Sequence, residues 1–153
     1  MLACTIYIKR KELLMAEHIK DLAEKFVTLW DKGKVEYIDQ IFSSNVNYTF
    51  DTSFNQGKDS IREHVKTRES IFKNPHFNIE ELIITDTRAV LRWSGQGIFA
   101  SAYEGIEATN KPFNYKGITI LGIENGKISD VWVYTDLVEV LRQQQEKNPH
   151  KAV

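Results

Sequence analysis

The sequence predicts an α+β domain, with helices in its first half and a run of antiparallel strands in its second. Three observations carry this. Apolar residues recur at helical spacing between Ala16 and Asp31, and period-two alternation takes over from about residue 77. Between two alternating runs, Asn125-Gly126 supplies a hairpin signal. A hydrophobic fraction of 42% over 153 residues suffices for one core and one domain, and the chain has no internal repeat, low-complexity tract or linker.

The N-terminal stretch "MLACTIYIKRKELLMAEH" places its short apolar run before its basic residues, the reverse of a secretory signal. Met15 opens a stronger helical pattern than Met1, so residues 1–15 are expected to form a disordered extension, with Met15 an alternative start. From Ala16 to Asp31, the residues Ile19, Leu22, Ala23, Phe26, Val27, Leu29 and Trp30 give a helix one apolar face, and Gly33 ends it. A short helix is expected over 35–42, then a strand over 45–50 with Val46, Tyr48 and Phe50 on one side. "DTSFNQG" reads as a polar loop. Helix 58–72 follows, with Asp59 or Ser60 as N-cap, and Pro75 ends that segment. Strands are expected over 77–84, 88–101, 112–124 and 127–135, with "ENGK" as a type I′ turn. Helix 137–146 closes the domain, and residues 147–153 form a tail.

Charge and composition exclude several functions. A formal net charge of -1 offers no basic face to nucleic acid or anionic lipid, and no apolar run approaches the roughly 20 residues that span a bilayer. A single cysteine, Cys4, fits a reducing compartment, so a cytoplasmic location is expected. His18, His64, His76 and His150 stand far apart, and no metal or organic cofactor is expected. No P-loop, G-x-S-x-G, G-x-G-x-x-G or H-E-x-x-H pattern occurs, and "GQG" at 95–97 reads as a bulge or bend rather than a phosphate site.

The strands carry the candidate site. Ile128, Asp130, Trp132, Tyr134 and Asp136 share one side of the last strand if alternation is unbroken. Arg92, Ser94 and Gln96 share a face of the 88–101 strand, where Arg92 is either an anion ligand or an outer-surface residue. The aromatics on these strands either fill a core or line an apolar pocket with a few hydroxyl and carboxyl groups. Read as a pocket, the lining residues are Tyr48, Phe50, Trp93, Gln96, Tyr115, Thr119, Trp132 and Tyr134.

"GKDSIREHV", "AVLRWSGQG", "YEGIEATNKPFNYKGITILGIENGKI" and the ending "WVYTDLVEVLRQQ" resemble SnoaL-like polyketide cyclases of the wider NTF2-like superfamily, over about residues 16–146. The resemblance implies a cone-shaped barrel, with N-terminal helices packed on a curved, mostly antiparallel sheet around an internal pocket. It also implies a homodimer and an apolar small-molecule ligand. The implied chemistry is cofactor-independent proton transfer next to a carbonyl, by aldol cyclisation or isomerisation. The alternative is a non-catalytic binding or dimerisation module.

Candidate bases are Asp51, which falls near the base of ketosteroid isomerases, and Asp136, the carboxylate closest to the cyclase motif. Each has a structural alternative. Asp51-Thr-Ser readily bonds its own backbone. "DLVE" makes Asp136 an N-cap with Glu139 completing a capping box. The resemblance to limonene-type epoxide hydrolases fails on chemistry, because Ala100, Ala102 and Val133 stand where their charged residues belong. The isomerase oxyanion acid is likewise replaced near Ile118 and Thr119.

Overall fold

A computed structural model describes the backbone of residues 2–147 and the side chains from Arg10 to Lys147. Helix α1 spans Leu2–Lys32 and α2 spans Tyr37–Ile41. Strands β1 (Phe42–Phe50) and β2 (Ser53–Gln56) precede α3 (Lys58–Ile71), and β3 (Phe72–Ile84), β4 (Arg88–Phe99), β5 (Pro112–Glu124), β6 (Lys127–Thr135) and α4 (Leu137–Glu146) complete the chain. The strands form one six-stranded sheet in the order β2-β1-β6-β5-β4-β3. β1 and β6 run parallel and the other neighbours antiparallel, so the sheet is mixed, with β2 and β3 as free edges rather than a closed barrel. The architecture is α+β, as the sequence predicts.

Alternation decides which face is covered. In β4, Ala89, Leu91, Trp93, Gly95, Gly97 and Phe99 are buried, and in β5 Phe113, Tyr115, Gly117, Thr119 and Leu121 are buried. That face packs into one core with Leu22, Phe26 and Leu29 of α1 and Ile61 and Val65 of α3. Asn125 and Gly126 have φ of 51° and 74°, the two positive values a type I′ turn between β5 and β6 requires.

Several local expectations are corrected. α1 begins well before Ala16, at Leu2; Leu13, Leu14 and Met15 are 65%, 58% and 45% exposed, so these three residues face no core and add no apolar periodicity. The stretch 53–56 is an edge strand, hidden by its polar, mostly exposed residues. Helix α3 starts after Gly57 with no side-chain cap, so neither Asp59 nor Ser60 serves as one; the Ser60 hydroxyl instead donates to the Gly57 carbonyl at 2.8 Å. Pro75 lies within β3, at a register shift between Lys73 and His76, where an edge strand tolerates a residue that cannot donate. "GQG" is not itself the irregularity, since β4 and β5 pair without interruption across Gly95–Gly97. A Cβ on Gly95 would stand 2.8 Å from the Phe77 ring and 2.9 Å from the Tyr115 ring, so the residue is small to let rings meet across the sheet.

β6 holds the correction that matters most for the site. Its register with β5 shifts between Gly122 and Ile123, leaving Ile128 buried and then turning Val131 and Val133 inward. Trp132 and Tyr134 therefore stand on the opposite, outer face, and Tyr134 is 52% exposed.

Candidate functional site

The covered face of the sheet encloses a chamber beneath α1. α1 contributes Phe26, Val27 and Trp30, β1 gives Tyr48 and Phe50, and α3 gives Arg68. The floor is Phe77, Leu91, Trp93, Tyr115, Thr119 and Val133. About 40 Å³ is open to the centres of water molecules, enough for about three of them. Val27, Trp30, Arg68 and Phe77 are the partly exposed members of this wall and mark its mouth. A second cavity of about 30 Å³ lies past Arg68, sharing Trp30, Arg68, Phe77 and Tyr115 and adding Val65, Glu69, Phe72, Pro75, Gln96 and Phe113.

Of the eight residues expected to bind a ligand, Tyr48, Phe50, Trp93, Tyr115 and Thr119 line the first chamber and Gln96 the second. Trp132 and Tyr134 line neither. The Trp93 indole N–H donates to the Thr119 hydroxyl at 2.9 Å, which satisfies both groups in a wall where Thr119 is 1% exposed. Gly117 makes room for that indole: a Cβ there would stand 2.5 Å from Trp93 Cζ2.

Neither candidate base lines a chamber. Asp51 sits at the β1–β2 turn with φ of 50°, a left-handed conformation that aspartate tolerates. Its Oδ1 accepts the Thr135 backbone N–H at 2.7 Å and its Oδ2 accepts the Thr135 hydroxyl at 2.8 Å. Asp136 accepts the Lys116 backbone N–H at 2.9 Å. It occupies the N-cap position of α4 but makes no side-chain cap bond, its ψ of 18° lying outside the extended range that capping favours. The Thr135 hydroxyl accepts the Leu137 N–H instead, at 3.1 Å, and Glu139 bonds Arg142 and Gln143 rather than closing a capping box. Arg92 is on the outer face, 3.4 Å from Glu81.

The electrostatic focus of the chamber is Arg68, not foreseen from the sequence. It is the one formally charged residue among those lining the first chamber. Its guanidinium carbon lies 4.9 Å from the Phe50 ring centroid and 5.0 Å from that of Phe72, so two rings hold the cation. Nη2 donates to the Tyr115 hydroxyl at 2.8 Å, while Nη1 is buried with no hydrogen-bond partner among the described residues. Burial raises the pKa of the Tyr48 and Tyr115 phenols, with the Arg68 charge working against it, so both stay protonated.

One turn before Arg68, His64 packs its ring against Trp30, Tyr48 and Phe50 at 5.3–5.4 Å, and its Nε2 is also buried without a hydrogen-bond partner among the described residues. Burial, reinforced by the Arg68 charge, pushes the imidazole down to about 4, so it is neutral at physiological pH. The signal for both residues was available: Ile61, His64, Val65 and Arg68 have the spacing of a single helical stripe, which places two polar residues on the buried face of α3.

The family model for SnoaL-like polyketide cyclases matches residues 20–144. The chain belongs to this family. Among solved structures, TsrD from Streptomyces laurentii is similar with a TM-score of 0.75 at 21% identity, over 84% of this chain and 95% of that one. AclR from Streptomyces galilaeus gives a TM-score of 0.73 at 16% identity, over 87% of each chain. A candidate polyketide cyclase from Bacillus cereus gives 0.67 at 27% identity, over 82% of this chain and 78% of that one. At 21% and 16% identity, the first two bear on the fold alone. No curated protein matches the sequence. Among the described residues, no helix is long and apolar enough to cross a membrane.

Proposed function

We propose that this SnoaL-like chain binds an apolar, oxygen-bearing small molecule in the chamber beneath α1 and polarises its carbonyl for proton transfer at the adjacent carbon. Arg68 carries the reading: a permanent cation with one buried, unpartnered N–H group in an otherwise uncharged wall. When a water at the chamber mouth takes a proton from the carbon beside a carbonyl, negative charge builds on the oxygen, and fixed donors beside that oxygen lower the barrier. Arg68 and the Tyr115 hydroxyl are such donors. Family membership is in keeping with cyclase- or isomerase-type chemistry.

In this reading Asp51 and Asp136 position the junction of β1, β6 and β5, because each already holds a backbone amide. The same observation favours a second reading, a binding module without catalysis. Deuterium exchange at the methyl group of acetophenone in D₂O, followed by proton NMR, separates the two. Exchange accelerated by the protein and lost in Arg68→Met supports catalysis. Saturable binding without acceleration assigns the module, and absence of binding removes both.

We also propose that a second copy of the chain covers the outer face of β5 and β6. What supports it is the cross-strand pairing of Ile118 with Tyr134 and of Ile120 with Trp132, with Ile118 46% exposed. Light scattering of the eluted protein should give twice the chain mass; a monomer would remove this proposal.

A further inference from the structure

The donors around Arg68 impose a constraint on the ligand that the proposed function leaves open. Arginine carries five N–H donors and no acceptor, and it does not lose its proton in proteins. The oxygen of Tyr115 accepts one of those donors at 2.8 Å, which leaves the Tyr115 O–H free to donate in its turn. Arg68 and Tyr115, both in the chamber lining, thus keep two unspent donors, Nη1 and the phenolic O–H. A ligand group placed there must accept twice.

Charge sharpens the requirement. The Arg68 side chain is only partly exposed at the chamber mouth, and a cation held away from water favours a counterion. No ion pair joins Arg68 to a described residue. Asp51 is bound to Thr135, and Glu69, on the rim of the second cavity, is exposed to solvent. Tyr48 and Tyr115 stay protonated, so neither phenol supplies a negative charge. The two rings flanking the guanidinium hold it in place but leave its charge uncancelled. What the chamber lacks is an anion.

Resting on the reading of this chamber as the ligand site, we propose that it selects a compact apolar carboxylate over a neutral ketone, one oxygen taken by Arg68 Nη1 and the other by the Tyr115 hydroxyl. The two kinds of ligand then compete for the same donors. The guanidinium charge makes the bond from Nη1 to a carboxylate oxygen a charge-assisted one, stronger than a bond between neutral groups. Space sets the size. Three waters displace roughly 90 Å³, about the volume of one six-membered ring, so the apolar body is a single ring or a short chain unless the Arg68–Tyr115 bridge opens into the second cavity.

The test is calorimetric titration of the full chain with benzoate and with benzamide, its neutral counterpart of equal shape. Benzoate is expected to bind at least about 10-fold more tightly, since a hydrogen bond to a charged group exceeds a neutral one by roughly that factor. Arg68→Met should bring the ratio close to one. Arg68→Lys keeps the charge and should retain part of the preference, which separates loss of charge from damage to the fold. Tyr115→Phe should reduce benzoate affinity several-fold. Equal binding of the two probes by the native chain overturns this inference and leaves the ligand chamber standing. If neither probe binds and acetophenone does not bind either, the chamber reading fails as well.

Discussion

Asp51 offers the sharpest contrast between a structural and a catalytic role, because the two predict opposite phenotypes. Its carboxylate receives the Thr135 amide at 2.7 Å and the Thr135 hydroxyl at 2.8 Å, and that hydroxyl in turn accepts the first amide of α4. Asp51→Ala removes both acceptors and leaves the Thr135 N–H unpaired at a half-buried site. Hydrogen bonds to charged groups contribute about 1.5–3 kcal/mol each, and partial exposure favours the low end, so the expected loss is about 2–4 kcal/mol. In a domain of this length that lowers the melting temperature by roughly 5–15 °C. Asp51→Asn retains an acceptor for the Thr135 amide and should cost about 1 kcal/mol. The assay is thermal unfolding by circular dichroism, paired with ketone α-proton exchange on the asparagine variant. A clamp predicts the melting losses, with exchange per folded molecule changed by less than about threefold. Asp51→Ala melting with the native chain, or Asp51→Asn abolishing exchange at unchanged stability, would refute the clamp.

Two further predictions concern residues packed against the chamber lining. His64 is protonated at 6.5 in the unfolded chain and only at about 4 in the folded one, so between those values the unfolded state holds more protons. Its contribution to stability is therefore complete above pH 6.5 and falls by about 3 kcal/mol as the pH drops to 4; His64→Leu should flatten that part of the stability profile, and a profile parallel to the native one would contradict the assignment. Gly117→Ala places a methyl group 2.5 Å from Trp93 Cζ2 and 2.8 Å from the Tyr134 carbonyl oxygen. Because the second contact is backbone, the expected cost is at least about 1–3 kcal/mol in urea unfolding, with a change in tryptophan fluorescence; native stability would show that the sheet yields there.

The sequence spoke clearly wherever side chains alternate between core and water. β4 buries every second residue throughout and β5 does so from Phe113 to Leu121, and the Asn125-Gly126 turn fixes their relation to β6. It spoke poorly where burial and polarity part company. Leu13, Leu14 and Met15 of α1 and the whole of β2 bury little, so neither carries a pattern. Within β6, one register shift moves Trp132 and Tyr134 to the outer face and brings Val133 into the chamber, which strict alternation inverts.

The candidate site suffered a different loss. Asp-Leu-Val-Glu has the composition of a capping box, yet Asp136 turns to the amide of Lys116 on β5, a partner 20 positions earlier in the chain. No local pattern announces such a partner. Arg68 and His64 were missed because α3 is rich in charged residues, and two more polar side chains do not stand out until the buried stripe of Ile61 and Val65 is traced through them. Five aromatic and hydroxyl residues of the chamber were legible, and the charge that organises them was not.

The central claim is that the chamber under α1 holds the ligand, with Arg68 as its polar anchor. The most direct measurement is a crystal structure of the protein soaked with acetophenone. The account predicts density for the ring among Phe26, Phe50 and Trp93, with the carbonyl oxygen at hydrogen-bond distance from Arg68 Nη1. Ring density outside the chamber at saturating ketone, or a bound ketone whose oxygen faces away from Arg68, would contradict it.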